Sequence, residues 1–567
     1  MKITYLKNGC KLFIFLLILF AESAYGQVTY RDTVITWKHF DYTLDENNGM
    51  GSYSTTEIVE DLYNGVVIEN EYVRLVVIPE FGARVLSFFY KPSGHEQFYV
   101  NPVGTPYGMD EGNFYYDWLM VFGGVFPTFP EPEHGKTWLL EWQWELTEVS
   151  ADRVSLKMEL LDTINYPFHP GKFNNGITEV RCTSTVTLLK GKTCFELNHD
   201  IENTKQTTVP FEYWTCLTLA PGSDPENTFT PANSEIVAPI DYIYLKDDWW
   251  SWMGNAEKPA YNQGNHVFEY NNLAIYDNWE DMGIGYAFPA MEAGYYGVIN
   301  HENTEGIFRV AENSVITTGM KFWTWGAEQG LSADPFDFYD IARPYIELWS
   351  GLSSQFFEDA YLQPDETISI KETYLPTIGL ESAILVNEAG AIHLDHTAEG
   401  AEKLTASIFM TSPGNDHEVI FSLEGMNSIT LPEGVFTSDA DEPATFSFLT
   451  DDYSIEDGDY AFIARVFDNS GLKTLEASIP VRIPYQSQGI TAWGEQTPKL
   501  LRISPNRYKI EFVEKKKRAL SVFALNGQLI DRKDISGSEA FIHVEKSGIY
   551  LLNVNEGNRQ YTLKLLF

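Results

Sequence analysis

Cysteine is scarce in this chain, which carries 4 in 567 residues. Cys10 lies close to the N-terminus, and the other three are Cys182, Cys194 and Cys216. Three thiols allow at most one disulfide, and they lack the paired spacing of a structural zinc site. We therefore predict that these three residues are buried small apolar side chains and that the chain has no zinc centre.

Long apolar runs are also nearly absent. The one clear run, residues 12–20, is nine residues long, whereas a helix that spans a bilayer needs about 20. The run is preceded by three lysines, Lys2, Lys7 and Lys11. It is followed by small residues within 24–26. This order is typical of a secretory signal peptide. We predict that residues 1–26 are a signal peptide, that the mature chain begins near Gln27, and that it has no transmembrane segment.

Basic residues are few. The chain has 39 Lys and Arg against 80 Asp and Glu, a net charge of −41. Nucleic acids and anionic membranes repel so acidic a chain, and we expect neither as a partner. The imbalance is uneven, because residues 28–494 hold 23 basic and 71 acidic residues, whereas residues 495–567 hold 13 and 8. The change of sign predicts a separate C-terminal unit.

Helical periodicity is rare, and short apolar segments separated by turns are common. The chain contains 42 Gly and 27 Pro, and 14% of its residues are aromatic, which favours an all-β fold. Residues 66–89 indicate three strands with a turn at 79–82. The run 129–138 is too rich in Pro and Gly for a regular element and indicates a loop, where functional side chains concentrate.

One carboxylate stands inside an apolar and aromatic segment, Arg343-Pro-Tyr-Ile-Glu-Leu-Trp-Ser-Gly351. The segment indicates a strand that carries Glu347 inward. Alternation places Tyr345 on the same face as Glu347. Arg343 shares that face provided Pro344 does not interrupt the strand. A buried carboxylate is either paired with a cation or raised in pKa, so two interpretations stay open. Glu347 is a general base, or it forms a structural ion pair with Arg343 or another cation.

Several sequence blocks follow one another in a characteristic order, at residues 70–84, 123–134, 211–214, 321–326 and 344–351. Together they resemble the DUF5107 family, which is similar in turn to galactose-mutarotase-like proteins. The match covers roughly residues 55–378. It implies a large two-sheet β-supersandwich, and we expect residues 27–378 to form this domain.

The resemblance also implies roles for particular residues. Mutarotases place a catalytic Glu shortly before a Leu-x-Pro-x-Glu strand, which here implies Glu347 followed by residues 362–366. Their early His, followed by Gly, is implied at His134. Their second His, which follows a Pro-Phe pair, is missing, because Phe211 is followed by residues 212–216 without a His. This departure argues against plain sugar mutarotation.

The same fold class includes domains of polysaccharide lyases, whose chemistry needs a cation for a uronate carboxylate, a base and an acid. The residues that we expect to be catalytic are His134, Arg343, Tyr345 and Glu347. Those that we expect to bind substrate, by charge or by stacking on sugar rings, are Arg84, Trp118, Trp138, Tyr213, Trp214, Lys321 and Trp323. For each of them, core packing or an ordinary ion pair is the structural alternative.

The remaining chain indicates two smaller units. Residues 379–485 contain short alternating strands between acidic turns, which predicts an immunoglobulin-like β-sandwich. Two interpretations are open for its aspartates, which either hold structural calcium or are solvated in turns. They are Asp451, Asp452, Asp457 and Asp459. Beyond a polar linker at 486–498, motifs at 503–506, 522–529 and 547–554 resemble the C-terminal sorting domain of the type IX secretion system of Bacteroidetes. The resemblance implies that residues 499–567 are a small β-sandwich that directs export and is then removed.

Export bears on function, because an enzyme that cuts polymers too large to import must work outside the cell. We predict a secreted or cell-surface protein, exported through the periplasm and outer membrane, that degrades a polysaccharide as a lyase, cleaving a uronic-acid-containing polymer by β-elimination. The alternatives are a glycoside hydrolase, a sugar epimerase or mutarotase on the same fold, and a non-catalytic glycan-binding protein. The expected partners are the polysaccharide and the type IX machinery, and no cofactor is expected apart from structural calcium.

Overall fold

The structure is a computed structural model that describes the chain in segments. They are residues 26–44, 50–104, 122–131, 136–164, 176–244, 261–262, 267–279, 283–312, 319–324, 343–397, 401–425, 427–456, 458–483, 499–504, 507–512, 514–524, 529–544, 549–556 and 559–566. Strands dominate these segments, and their helical elements are short 3-10 turns at Asn271–Ala274, Tyr276–Asn278 and Thr450–Asp452. The predicted all-β fold class is therefore confirmed.

Antiparallel strands build the N-terminal part. In chain order they are β1 (Thr29–Leu44), β2 (Met50–Glu69), β3 (Val73–Ile78), β4 (Arg84–Tyr90), β5 (His95–Phe98), β6 (Val125–Thr128), β7 (Gln143–Val149), β8 (Arg153–Leu161), β9 (Val180–Leu189), β10 (Phe195–Asn203), β11 (Val209–Phe211), β12 (Trp214–Ser223), β13 (Glu235–Val237), β14 (Tyr242–Tyr244), β15 (Tyr261–Asn262), β16 (Val267–Glu269), β17 (Gly283–Phe288), β18 (Tyr295–Asn300), β19 (Glu305–Ala311), β20 (Gly319–Thr324), β21 (Ile346–Gly351), β22 (Ala360–Leu362) and β23 (Thr367–Ile378).

Most of these strands form two large sheets that pack face to face. Among the described residues, the first sheet has 13 strands in the order β1-β2-β3-β4-β5-β12-β21-β20-β17-β14-β16-β15, with β6 paired to β12 and β4. The second has 8, in the order β13-β18-β19-β23-β10-β9-β8-β7. Apolar side chains of both sheets, such as Leu217 and Phe308, share one buried cluster between them. This is the two-sheet arrangement expected from the sequence.

The first sheet is buried on both faces where β12 crosses its middle. The residues of β12 from Trp214 to Pro221 are all buried. Leu217 lies in the core between the sheets, whereas Trp214 and Cys216 lie on the outer face. That outer face carries a second buried group, the outer-face cluster, of Trp37, Ile78, Phe81, Leu86, Phe122, Phe126, Trp138, Trp214, Cys216, Tyr286, Trp349 and Phe356. A strand covered on both sides lacks a polar face, so its sequence does not show which residues point which way.

A charged network lies inside the core between the sheets. Glu372 of β23 forms an ion pair with Arg309 of β19, and both side chains are fully buried. Thr215 of β12 donates to Glu372 Oε1 at 2.9 Å, and His199 Nε2 lies 3.9 Å from Glu372 Oε2. Since Thr215 belongs to the first sheet and Glu372 to the second, the network joins the two sheets. A buried pair of this kind is costly to break, because removal of one partner leaves an uncompensated charge.

Smaller sheets follow. The next strands are β24 (Leu385–Asn387), β25 (Gly390–His396), β26 (Lys403–Met410), β27 (Asp416–Glu424), β28 (Ile429–Thr430), β29 (Gly434–Thr437), β30 (Ala444–Leu449), β31 (Gly458–Phe467) and β32 (Lys473–Ile483). They form a 4-stranded and a 5-stranded sheet in the described chain, and apolar residues of both share one cluster. This is a sandwich of the immunoglobulin-like kind that the sequence predicted.

The C-terminal strands form a smaller sandwich. They are β33 (Lys499–Ser504), β34 (Arg507–Glu511), β35 (Arg518–Ala524), β36 (Leu529–Ile535), β37 (Glu539–His543), β38 (Ile549–Glu556) and β39 (Arg559–Leu566). One sheet has the order β33-β34-β37 and the other β36-β35-β38-β39. We refer to residues 499–567 as the terminal module.

The cysteine prediction is confirmed for the three residues beyond the N-terminal segment. Cys182, Cys194 and Cys216 are free and buried. In the described segments, no helix is both long and apolar enough to span a bilayer, and no three His, Cys, Asp or Glu side chains converge as metal ligands. Of the aspartates considered for calcium, Asp459 instead lies 3.2 Å from the guanidinium of Arg482, and Asp457 lies outside the described residues.

The core network predicts how stability depends on pH. Burial lowers the pKa of His199 from 6.5 to about 4, which outweighs the opposing charge of Glu372. Between these values the unfolded chain binds the extra proton, so stability falls as pH is lowered through this window, by at most about 3 kcal/mol from this residue. The pKa of Glu372 is lowered by Arg309 against the effect of burial, so its contribution is lost at still lower pH.

We expect His199→Asn to flatten the pH dependence of unfolding between pH 7 and 4.5. The free energy of unfolding is measured by urea denaturation, with Trp fluorescence as the signal. This signal reports mainly on the first domain, because 13 of the 14 Trp residues precede residue 379. The control is His396→Asn in the second sandwich, which lies outside the core network. An unaltered slope in His199→Asn would show that His199 is not the group that titrates.

Candidate active site

The strands β12, β20 and β21 bring a set of polar side chains to the outer face of the first sheet. Glu347 of β21 is the cross-strand partner of Trp323 and of Thr218. Trp349, two residues further on, is the partner of Lys321 and of Cys216. Residues directly opposite one another in a sheet project to the same side. The register therefore collects one carboxylate and one ammonium group among aromatic rings.

Glu347 is the central group of this face. Its side chain is buried, with 1% of the residue exposed. The Tyr345 hydroxyl donates to Glu347 Oε1 at 2.8 Å, and the Trp349 indole N–H donates to Glu347 Oε2 at 2.8 Å. Burial raises the pKa of Glu347, and the charges of Lys321 and Arg84 and the two hydrogen bonds only partly oppose this. A carboxyl group with a raised pKa is suited to proton transfer near neutral pH.

Tyr345 is held in place by aromatic contacts. Its ring stacks on Tyr99 with centroids 4.0 Å apart and planes at 3°, and it lies 5.6 Å from the Trp323 ring. Burial raises the pKa of Tyr345 well above its ordinary value, and the nearby charge of Glu347 adds to this. Tyr345 is therefore a neutral phenol at neutral pH, able to donate a proton or a hydrogen bond.

Lys321 lies between two aromatic faces. Its Nζ is 4.4 Å from the centroid of the Trp349 ring and 4.1 Å from that of Phe356. Cation–π contacts of this kind hold an ammonium group in a place where water is scarce. Since the indole of Trp349 also bonds Glu347, one side chain orients both the carboxylate and the ammonium group.

Arg84 enters the same region from the start of β4. It is fully buried, its Nη1 donates to the Gly123 carbonyl, and its guanidinium lies 3.7 Å from the centroid of the Phe126 ring. Gly123 has φ +105, and a Cβ there would lie 2.0 Å from the Tyr99 carbonyl oxygen, so only glycine fits. Burial lowers the pKa of Arg84 to about 9, which leaves it charged at neutral pH. Its Nε and Nη2 have no hydrogen-bond partner among the described residues.

Trp214 closes one side of the site. Its indole N–H donates to Glu212 at 3.2 Å, and its ring packs on Phe356 with centroids 4.9 Å apart. The ring lies over the last residue of β21, where a Cβ on Gly351 would come within 2.2 Å of it. The glycine at this position is therefore required by the close approach of the indole.

The structure brings together five of the residues predicted from the sequence, Arg84, Lys321, Trp323, Tyr345 and Glu347. Trp138 and Trp214 lie nearby in the outer-face cluster. Tyr213 faces the other way, into the core between the sheets, with its hydroxyl 3.2 Å from Thr215 Oγ1. His134 and Trp118 lie outside the described residues.

Arg343 lies outside the strand that carries Glu347. Strand β21 begins at Ile346, after Pro344, whose ring fixes φ and which lacks the N–H of a ladder residue. Arg343 is exposed, and its charge acts on Tyr99, whose pKa is raised by burial and lowered in part by Arg343. The cations that act on Glu347 are Lys321 and Arg84. The strand begins only after Pro344, so the condition under which Arg343 would share the face of Tyr345 and Glu347 is not met.

Three further residues of the site were not predicted. Trp349 could have been found, because the alternation that pairs Tyr345 with Glu347 places residue 349 on the same face. Tyr99 and Phe356 carried no such signal. Tyr99 directly follows β5, which is paired to β12 in the sheet, and Phe356 lies in the turn that follows β21.

A separate pocket of about 280 Å³ opens beside the outer-face cluster. Phe122 is common to both, and the polar residues that line the pocket include Lys38, Asn101 and Glu226. Glu347 and its hydrogen-bond partners are not among its lining residues. The pocket and the Glu347 site are therefore distinct features of the molecule.

Comparisons with known proteins concern the fold. No protein-family model matches the chain. Among solved structures, it is similar to a TPR-domain containing protein from Parabacteroides distasonis ATCC 8503, with 16% identity, 64% of this chain and 58% of that chain covered, and a TM-score of 0.49. It is also similar to a galactose mutarotase-like protein from Clostridium acetobutylicum, with 10% identity, 62% of this chain and 99% of that chain covered, and a TM-score of 0.40. For a galactose mutarotase-like protein from Lactobacillus casei ATCC 334, the identity is 11%, the coverage is 55% of this chain and 100% of that chain, and the TM-score is 0.35. These similarities assign no activity to this chain.

The hydrogen bond from Tyr345 predicts a shift in the titration of Glu347. Because this bond lowers the pKa of Glu347, Tyr345→Phe should raise that pKa further. Infrared difference spectra recorded across a pH titration would follow the carboxyl band, which Glu347→Gln identifies by removing it. The control is Tyr374→Phe, whose hydroxyl donates to Glu372 in the core between the two sheets. An unchanged midpoint in Tyr345→Phe would contradict the proposed geometry.

Proposed function

We propose that the protein is a carbohydrate-active enzyme, and that it acts as a lyase on a polysaccharide that contains uronic acid. The observation that carries the proposal is the buried carboxyl group of Glu347, bonded to the neutral phenol of Tyr345 and subject to the charges of Lys321 and Arg84. Proton donor, proton acceptor and cations are the three components that β-elimination from a uronate requires.

The roles follow from the direction of each pKa shift. Glu347, with a raised pKa, is the group that accepts a proton, because a more basic carboxylate takes one more readily. Tyr345, kept neutral by burial, is the group that gives one. Their hydrogen bond lets a proton pass from Glu347 back to Tyr345, so the pair returns to its starting state after each turnover.

Glu347 and Tyr345 together account for both proton transfers of the elimination. Glu347 removes the proton on C5 of the uronate, and the electron pair of that C–H bond forms the double bond between C4 and C5. The bond between C4 and the bridging oxygen breaks, and Tyr345 protonates the leaving oxygen. The products are a chain with a new reducing end and a chain with an unsaturated uronate.

Arg84 supplies the charge that the substrate needs. Removal of the C5 proton places negative charge on the adjacent carboxylate, and a buried guanidinium stabilises it strongly in a region of low dielectric. The Nε and Nη2 of Arg84, which lack partners among the described residues, offer the two parallel donors that a carboxylate accepts. Lys321 adds a second positive charge beside Trp349.

Export supports the same proposal. The lysines and short apolar run at the N-terminus and the sorting-domain resemblance of the terminal module both favour a location outside the cell, where long polysaccharides are found. His134, the further candidate for proton transfer, remains a proposal that rests on the resemblance to mutarotases.

A panel of acidic and neutral polysaccharides tests the reaction. We expect an acidic polymer to yield ultraviolet absorbance from the unsaturated product together with new reducing ends. Reducing ends without absorbance would indicate a hydrolase. Neither signal on any polymer would reject cleavage and leave epimerisation or glycan binding, which sugar proton exchange and binding measurements separate.

Substitution of the central carboxylate tests the site. We expect Glu347→Gln and Tyr345→Phe each to lower turnover at least about a hundredfold, the low end for loss of a general acid or base, with little change in thermal stability. The matched control is Glu96→Gln. Glu96 is also buried with a raised pKa, but it accepts hydrogen bonds from Ser87 and from the Phe88 main chain.

Two further variants distinguish the contribution of Arg84 to turnover from that of Arg343. Arg84→Lys should lower turnover strongly because lysine lacks the paired donors of guanidinium, whereas Arg343→Lys should have little effect because Arg343 is exposed. Unfolding of Glu347→Gln with normal turnover in its folded fraction would show that Glu347 is structural, and the proposed mechanism would fail.

A further inference from the structure

The terminal module presents two basic side chains at one point of its three-stranded sheet. Arg507 of β34 and His543 of β37 are direct cross-strand partners, so their side chains lie next to each other on the same face. The Phe541 ring, on the same face, lies 5.7 Å from the Arg507 guanidinium. Arg507 itself is buried, with 3% of the residue exposed.

The first domain presents two acidic side chains opposite them. Asp241 immediately precedes β14, and Glu269 ends β16. These strands pair through Tyr242 and Glu269, which brings the two carboxylates to the same end of the first sheet. Both strands lie toward the margin of that sheet, beyond β17.

These four residues meet across the boundary between the two units. Arg507 Nη2 lies 3.1 Å from Glu269 Oε2, with side chains only 4% and 11% exposed. Arg507 Nη1 also donates to the Asp241 carbonyl at 3.2 Å. His543 Nε2 lies 3.6 Å from Asp241 Oδ2, and its ring meets the Tyr242 ring edge to face at 5.6 Å. We call these four residues, Asp241, Glu269, Arg507 and His543, the clasp.

The clasp has the features of a specific contact rather than of a chance surface pair. Exposed ion pairs contribute little because water and salt screen them, but a desolvated pair that loses one partner leaves a buried charge without compensation. The charge balance of the whole chain acts in the same direction, since residues 28–494 hold 23 basic and 71 acidic residues and residues 495–567 hold 13 and 8. Long-range attraction and local pairing therefore favour the same docked state.

We propose that the clasp is a docking site through which the first domain binds the terminal module without a covalent link. Cleavage of the chain in the linker of residues 486–498, which the sorting-domain resemblance leads us to expect, then does not by itself release the module. The cut module stays on the margin of the first sheet until another partner competes for Arg507 and His543. This inference is independent of the reaction proposed for Glu347.

A cleavable form of the full chain tests the proposal. A recognition sequence for a specific protease is inserted between Gly489 and Ile490, the purified protein is cut completely, and the products are separated by size-exclusion chromatography at low ionic strength. We expect both fragments, identified by mass, to elute together. Separate elution of two folded fragments at micromolar concentration would overturn the proposal.

Substitutions in the first domain identify the contact. The double variant Asp241→Asn with Glu269→Gln removes both carboxylates of the clasp without altering the terminal module, and it should weaken retention of the cut fragment at least tenfold. The control Lys533→Glu changes the charge of the module at β36, where Lys533 faces Asp531, and should weaken retention far less. Equal retention in the double variant and the unaltered protein would show that other contacts hold the module, and the clasp would be rejected.

A pair of charge reversals distinguishes loss of the ion pair from misfolding of a variant. Arg507→Glu alone should release the cut module, and Arg507→Glu combined with Glu269→Arg should restore retention, because the pair is re-formed with opposite polarity. Trp fluorescence checks that the first domain of each variant folds, and circular dichroism of the separated module checks the module, which contains no Trp. Release by the single change without recovery in the combined variant would count against a direct pairing of residues 269 and 507.

Discussion

The burial of a carboxylate on a central strand is the constraint on which the outer face of the first sheet depends. Glu347 has lost its water and must find donors nearby, and alternation supplies them at positions 345 and 349 of its own chain segment. Those donors are aromatic, so they need neighbours of their own. Tyr99 stacks on Tyr345, and Lys321 lies over Trp349. One buried carboxylate therefore organises side chains of β20 and β21 and of the residues that directly follow β5 and directly precede β21.

Two buried glutamates, one in the core between the sheets and one on the outer face of the first sheet, have opposite environments. Glu372, in the core, forms a direct ion pair with Arg309, and the pKa of Glu372 is lowered. Glu347, on the outer face, has hydrogen bonds and more distant cations, and its pKa is raised. A paired carboxylate holds a structure together, whereas one that burial leaves basic can move a proton. The contrast is the physical reason for assigning structure to the first and chemistry to the second.

Strand β12 connects these two environments. Thr215 bonds Glu372 on one side, and the next residue, Cys216, lies beside Trp349 on the other. A change in the register of β12 by one residue would exchange the two faces and bury each polar group without its partner. The core network and the candidate site therefore stabilise the same register, and neither can shift alone.

The sequence by itself determined the local features: antiparallel strands, three buried thiols, and the shared face of Tyr345 and Glu347, because each depends on residue type and period along a few residues. It did not determine that Arg343 lies outside the strand of Glu347, that Tyr213 points into the core, or that Arg84 and Tyr99 approach Glu347. These depend on which strands become neighbours and on which face each one presents. In strands buried on both sides, no polar face remains to show this, so only the tertiary structure decided it.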